Sequence, residues 1–429
     1  MNKIRVLQHY LKTRYRQSFT SRQELERYQR QQLDRFFKKL PSNLAYFTGL
    51  SQLERNQLSI DTLDTLPITD KLFMMKNFDK INTVGIAKKQ AFDVALKAEE
   101  SRDFSPMLNG VTIGLSSGTS GNRGLFLVSP EERERWAGIM LAKMLPKSII
   151  RKQKVAFFLR ANSNLYETVS SSTIQFTFYD LLDPVNENVN KLRALSPDIV
   201  IAPPSMLRII ADLKDRPPFK RVISVAEVLE KKDQAYLAQA FDQTIHQIYQ
   251  CTEGFLAHTC KEGNLHLNEE FVYIEKEYID EEKGIFSPII TDFSRMAQPI
   301  IRYRLNDLLV EKDELCRCGS ACTVLDRIDG RSDDIFIFEG ADSGEEVAMF
   351  PDFIRRTLIL HGDERDQFRV IQEKDGTLAI YVTNVQDGDA IKRSFLALFS
   401  KMACVPVDLT IFPYIPPEAG VKLRRVQKR

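Results

Sequence analysis

The sequence predicts an α/β protein in two parts: a large N-terminal region of mixed and parallel sheet covered by helices, and a small α+β C-terminal region. Three observations carry that expectation. Between residue 155 and about residue 310, short apolar runs rich in β-branched residues alternate with helical patterns, as in strands linked by covering helices. A polar, turn-prone break, Asp329-Gly330-Arg331-Ser332-Asp333-Asp334, ends that alternation. At 429 residues the chain is too long for one ordinary domain.

In chain order, residues 1 to about 40 read as helical, with Leu7, Tyr10, Leu11 and Tyr15 at helical spacing and Leu25, Tyr28, Leu33 and Phe36-Phe37 after them. In Leu66-Pro67-Ile68-Thr69-Asp70-Lys71, either Thr69 or Asp70 caps the helix that follows. Ile113 to Val128 reads as strand, loop, strand. Pro130-Glu131-Glu132 opens a helix through Trp136, Ile139, Met140 and Met144, its acidic first turn suiting the helix dipole. Val155–Leu159, Ile199–Ala202 and Val222–Val225 are expected strands of a largely parallel sheet, with helices over Pro204–Leu213 and Lys231–Phe241. Past the break come a helix from Phe350 to Leu360, strands Phe368–Gln372 and Leu378–Thr383, a helix from Ala390 to Met402 and a last strand, Val407–Phe412. The expected division is residues 1–333 and 334–429, with a hinge near Asp334.

Composition narrows the function classes. The chain is 43% hydrophobic and 28% charged, that of a globular protein with ample core. Its formal charge of +2, from 60 basic and 58 acidic residues, gives no reason to expect a nucleic-acid partner. No apolar run approaches the ~20 residues of a membrane span. Met1-Asn2-Lys3-Ile4-Arg5 lacks the apolar core of a signal peptide, so the expected location is cytoplasmic. Six cysteines in that setting are thiols or metal ligands rather than disulfides.

Chemistry concentrates first in Ser116-Ser117-Gly118-Thr119-Ser120-Gly121. Glycine lets a bulky ligand approach the backbone closely, and successive loop N–H groups with hydroxyls form an anion-binding concavity. The loop suits nucleotide phosphates, yet no Gly-Lys-Ser/Thr closes it as in a Walker loop. Four stretches follow in order: Val225-Ala226-Glu227, Tyr249-Gln250-Cys251-Thr252-Glu253-Gly254, Arg302-Tyr303-Arg304-Leu305-Asn306-Asp307 and Gly330-Arg331-Ser332-Asp333-Asp334. Together with the loop they resemble the adenylate-forming enzymes, and within them the phenylacetate–CoA ligase-like branch, which includes deazaflavin-adenylating relatives. The resemblance runs from Leu66-Pro67-Ile68-Thr69-Asp70-Lys71 to Gly420-Val421-Lys422.

The resemblance implies a large adenylation domain and a small mobile one. It implies that Ser116, Ser117, Gly118, Thr119, Ser120 and Gly121 hold the β- and γ-phosphates of ATP. Ala226 and Glu227 would lie along the adenine and Tyr249 would stack near it. Thr252 would bind the α-phosphate, Glu253 would hold Mg²⁺, Asp307 would accept from the ribose hydroxyls and Arg331 would reach ribose and phosphate. Lys422 would swing in to neutralise the carboxylate–phosphate transition state, a task suited to a compact charge on a flexible stem. The implied reaction is ATP- and Mg²⁺-dependent activation of an aromatic or small organic acid to its acyl-adenylate, then transfer to CoA. The alternatives are transfer to an amine or a carrier-protein thiol, or a non-catalytic nucleotide-binding scaffold. Asn122-Arg123-Gly124 stands where relatives often carry Lys and Pro, and Ile335 to Met349 is longer and more acidic than the segment it replaces. The oligomeric state is left open.

Cys316-x-Cys318-x₃-Cys322 clusters three thiols, with Cys260 and His266 well upstream. Structural zinc takes four thiolate or imidazole ligands from separated knuckles, and some members of the branch carry a similar set. The expected ligands are Cys260, His266, Cys316 and Cys318, with Cys322 as substitute for one of them. His258 is expected to be otherwise satisfied, and Cys251 and Cys404 to be packing residues. The acid pocket is expected to be walled by residues from Phe157 to Tyr179 together with Cys251 and Phe255.

Overall fold

The computed structural model describes residues 2–116, 124–159, 161–162, 170–331, 334–341, 344–349, 351–359, 367–383, 385–416 and 423–429. Five parallel strands form one half of its main sheet, in the spatial order Ile174–Asp180, Gln153–Leu159, Ile199–Ala202, Arg221–Ser224 and Ile245–Gln250. Alternate residues of a strand face opposite sides, and both sides here are apolar. Val155, Phe157, Ile199, Ile201 and Ile223 join one core, where the Pro130–Met144 helix packs. Ala156, Phe158, Val200, Ala202 and Val222 join the other, under the helices Val185–Leu195, Pro204–Ala211 and Lys231–Phe241.

The parallel run ends earlier than the sequence predicts. From Phe255–Thr259 the sheet continues antiparallel through Leu265–Leu267, Val324–Arg331, Asp307–Glu311, Ile285–Asp292 and Tyr273–Asp280. Only residues 251–254 separate Ile245–Gln250 from Phe255–Thr259, enough for a hairpin but far short of the dozen or more a parallel crossover needs. Ile300–Arg304 adds to Ile285–Asp292, and Tyr303 bridges to Thr69.

The expected N-terminal helix is two, Lys3–Tyr15 and Arg22–Lys39. The break holds Ser18, Thr20 and Ser21, residues that compete for backbone hydrogen bonds, and Phe19 O accepts from Ala321 N at 2.8 Å. Asp70, rather than Thr69, caps the Lys71–Lys76 helix, its Oδ1 accepting from Phe73 N at 2.7 Å. Thr69 is buried instead, its hydroxyl donating to Ile301 O at 2.9 Å.

The small C-terminal α+β domain has its own core, in which Phe336, Met349, Ile354, Phe395 and Phe399 are buried. The segment from Ile335 to Met349 contains a hairpin, Phe336–Glu339 with Glu346–Met349. Helices Pro351–Ile359 and Gly388–Lys401 cover a four-stranded sheet ordered Leu409–Pro413, Leu378–Val382, Phe368–Gln372 and Val426–Lys428. The last strand by sequence is therefore not the one over 407–412, which runs Leu409–Pro413. Val426–Lys428 follows it and pairs parallel with Phe368–Gln372. The basic stretch leading into it, which reads as a solvated tail, buries Arg425 against Asp233.

Candidate active site

One cleft of about 840 Å³ opens at the C-terminal ends of the parallel strands and reaches the small domain. Ligands of open α/β sheets bind at that edge. Its first wall is the hairpin Val111–Leu115 with Leu125–Val128. A Cβ at Gly114 would overlap the Phe126 ring, so glycine is what lets that ring lie over the strand. Ser116 closes the base of the intervening loop: its N–H donates to Gly124 O at 2.8 Å, and its hydroxyl accepts from Gly124 N at 2.8 Å. Ser117, Gly118, Thr119, Ser120 and Gly121 lie outside the described residues.

Ala226 and Glu227 follow the Arg221–Ser224 strand. Ala226 is left-handed at φ 68°, a conformation that costs a residue with a Cβ and gathers at functional sites. The turn aims the Glu227 carboxylate at Ser205, which donates from its hydroxyl at 3.1 Å and its N–H at 3.2 Å, while Leu423 N donates at 3.5 Å. Burial pushes the Glu227 carboxyl up, and these donors only partly offset it.

Tyr249 ends the last parallel strand, and its hydroxyl donates to Asp307 Oδ2 at 2.5 Å. Burial first, and the adjacent Asp307 charge second, push the phenol well up, so it remains a donor. Asp307 is the register partner of Arg331 across two antiparallel strands, with Arg331 Nε 3.9 Å from Oδ1. The loop between Tyr249 and Phe255 carries Thr252 and Glu253 into the cleft. Arg295 braces that loop, donating to Thr252 O at 2.7 Å and to Leu127 O at 3.1 Å. Burial, then the neighbouring Glu253 carboxylate, raise the Tyr303 phenol.

Asp334, between the Val324–Arg331 and Phe336–Glu339 strands, is buried, its carboxylate paired with the Arg424 guanidinium and accepting from Lys428 N at 3.4 Å. Lys422 lies outside the described residues; Leu423, next to it, lines the cleft.

No protein-family model matches the chain, and no curated protein does. Solved structures do. A 2-hydroxyisobutyryl-CoA ligase in its postadenylation state aligns at a TM-score of 0.59 with 13% identity, covering 100% of this chain and 88% of that one. The amide bond synthetase McbA from Marinactinospora thermotolerans aligns at 0.52 with 13% identity, over 73% of this chain and 68% of that one. An ATP-bound RpMatB-BxBclM chimera aligns at 0.52 with 13% identity, over 72% and 66%.

The chain has the adenylate-forming ligase fold. Within it, Ser116, Ala226, Glu227, Tyr249, Thr252, Glu253, Asp307 and Arg331, spread over much of the large domain, line one cleft. The wall expected for an acid pocket is only partly in the cleft. Phe157, Leu159, Phe176 and Phe255 do line the cleft, residues 160 and 163–169 lie outside the described residues, and Tyr179 stacks on Phe158 in the opposite core. A strand alternates faces, so a stretch of sequence cannot form a single wall. Cys251 lines the cleft rather than only packing; burial and then the Glu253 charge push its thiol up, away from nucleophilic use. Trp136, Ile139, Met140 and Met144 also line it, an i, i+3, i+4 stripe that in sequence looks like any core-facing helix.

At the far end of the Phe255–Thr259 strand, the ligand atoms of Cys260, His266, Cys316 and Cys318 all lie within 4.8 Å of one another. Cys260 Sγ is 3.7 Å from Cys316 Sγ, and His266 Nε2 is 3.5 Å from Cys318 Sγ. The Cys322 thiol points away, 3.6 Å from Glu270 Oε2, while its carbonyl holds His266 Nδ1 at 3.0 Å. His258 is satisfied by Asn268 Oδ1 at 2.7 Å. Cys404 packs in the core of the small domain.

Proposed function

We propose that this protein activates a carboxylic acid with ATP, releasing pyrophosphate and leaving an acyl-adenylate. The observation that carries the reading is the convergence of Ser116, Glu253, Asp307 and Arg331 on one cleft. A carboxylate oxygen attacks the α-phosphorus, the bond to the β-phosphate oxygen breaks, and pyrophosphate leaves with that electron pair. Two anions meet in this step, so stabilisation must come from fixed donors and cations. The loop beginning at Ser116 would take the leaving phosphates, Thr252 the α-phosphate, and Asp307 the ribose hydroxyls that complement its acceptor oxygens. Magnesium, when bound, would draw charge from the phosphate oxygens, and Glu253, which lines the cleft, would hold it. Lys422 would reach the reacting centre from the small domain, turning about Asp334. The acyl group would pass on to the thiol of CoA, as in the phenylacetate–CoA ligase-like branch.

Acid-dependent exchange of pyrophosphate into ATP tests the reading. Glu253→Ala and Lys422→Ala should each lower the exchange at least a hundredfold; exchange that persists in both would remove the assignment. CoA-dependent thioester formation separates the final acceptor from an amine or carrier thiol.

The Cys260–His266–Cys316–Cys318 cluster fits a structural zinc. A tetrahedron with Zn–S of about 2.3 Å and Zn–N of about 2.0 Å has S–S edges of about 3.8 Å and S–N edges of about 3.5 Å. The 3.7 and 3.5 Å separations match. The carbonyl of Cys322 supplies the outer contact that orients a ligating imidazole. Metal analysis should find about one zinc per chain; less than about half would count against the site.

A further inference from the structure

The cleft continues well past the nucleotide end. Its helical wall runs antiparallel to the parallel strands, and two hydrogen bonds fix the direction. Trp136 Nε1 donates to Gln250 Oε1 at 3.2 Å, at the strand ends beside Thr252. Met144 O accepts from Arg221 at 3.1 Å, at the opposite ends of the strands. Trp136, Ile139, Met140 and Met144 all line the cleft between those points, a span of about 12 Å at 1.5 Å per residue, the reach of roughly ten carbons. The facing wall is Val155, Phe157, Ile199 and Ile201. In each strand the residue nearer the start lies further from the nucleotide end, so Val155 and Ile199 sit opposite Met144. Arg135 and Glu132 occupy the mouth, and the side chains just named below Trp136 are all apolar. Met140 and Met144 are unbranched and polarizable, suited to fitting a flexible chain.

We propose that the acid activated here is a monocarboxylic acid with an extended, uncharged apolar tail. A straight acyl chain of roughly ten carbons has the length that reaches Met144 from Trp136. The carboxylate would sit between Trp136 and Thr252, with the tail running down the helix. The proposal rests on the acid-activation reading for its chemistry, but the pocket itself does not depend on it. A short hydroxy acid would leave the lower cavity unfilled, and Val155, Ile199, Ile201 and Met144, which line it, offer a second carboxylate no hydrogen bond.

Trp136 is the only tryptophan of the chain, so its emission reports the pocket without ATP. Acetate, hexanoate, octanoate, decanoate and malonate would be titrated against emission, and pyrophosphate release measured with each acid plus ATP and magnesium. Decanoate should shift Trp136 emission, and kcat/KM should rise about four-fold per added methylene up to about ten carbons. Ile199→Phe, and independently Met144→Phe, should move the optimum to a shorter acid. Equal or falling kcat/KM from acetate to decanoate, or a preference for malonate, overturns the tail assignment and leaves acid activation standing. An emission response without pyrophosphate release from any acid supports the pocket and removes the activation reading. Silence in both overturns both.

Discussion

Tyr249 and Asp307 show how a single hydrogen bond sets a site. The Tyr249 hydroxyl fixes one Asp307 oxygen at 2.5 Å, leaving the carboxylate oriented towards the cleft. Tyr249→Phe keeps the ring and removes the donor. A hydrogen bond to a charged group contributes about 1.5–3 kcal/mol, so ATP affinity should weaken at least about tenfold, measurable by calorimetry. A second residue governs acid stability. Burial, and then the Arg221 charge, lower the His246 imidazole to about 4, and its Nδ1 is buried without a hydrogen-bond partner. Unfolding returns it to about 6.5, so the unfolded chain binds more protons between those values. The contribution of a neutral His246 is therefore complete above pH 6.5 and is lost as pH falls towards 4. It should amount to about 1–2 kcal/mol once discounted for the partly exposed ring. His246→Gln should flatten the fall in urea stability between pH 7 and pH 5; an unchanged slope would assign the effect elsewhere.

At the scale of elements, the Pro130–Met144 helix does two tasks. Ser129 and Glu132 start it with a capping box, and Gly138 lets it cross the Lys3–Tyr15 helix. A Cβ at Gly138 would stand 2.6 Å from Val6 O and 2.9 Å from Tyr10 N, backbone atoms that cannot yield. Gly138→Ala should improve helix propensity by about 1 kcal/mol yet lose about 1–3 kcal/mol net through overpacking, seen as a lower melting temperature. The helix was legible in the sequence because Pro130, its acidic first turn and an apolar stripe agree. That part of the stripe forms a ligand wall was not, since a core and a cleft call for the same side chains. That Tyr249, Thr252, Glu253, Asp307 and Arg331 share one cleft was legible because their types and order, far apart in the chain, point to one chemistry. The Val426–Lys428 strand was not: three residues of parallel edge take their meaning from Phe368–Gln372. Arg425 likewise looks solvated until Asp233 is brought against it.

The whole molecule is held together by buried charge across the two domains. Arg425 of the small domain pairs with Asp233 at 2.8 Å, and Arg208 shares that carboxylate at 2.7 Å. Arg355 meets Glu230 at 3.0 Å and Asp329 at 2.8 Å. Removing one partner of a buried pair strands the other charge, at about 3–5 kcal/mol. Arg425→Ala should therefore release the small domain, raising the radius of gyration in X-ray scattering and exposing the linker near Asp334 to protease. A compact, resistant variant would show that apolar contact alone holds the domains.

The hairpin from Ile245 to Thr259 has one more consequence. The Phe255–Thr259 strand has Glu253 two residues before its first residue and Cys260 just after its last. Losing one residue from it would turn the remaining side chains over to the wrong side, displacing the thiol cluster and the 251–254 loop together. Deletion scanning through these five positions should find metal content and pyrophosphate exchange failing in step, whereas deletions in the Cys260–Asn264 turn should cost metal first.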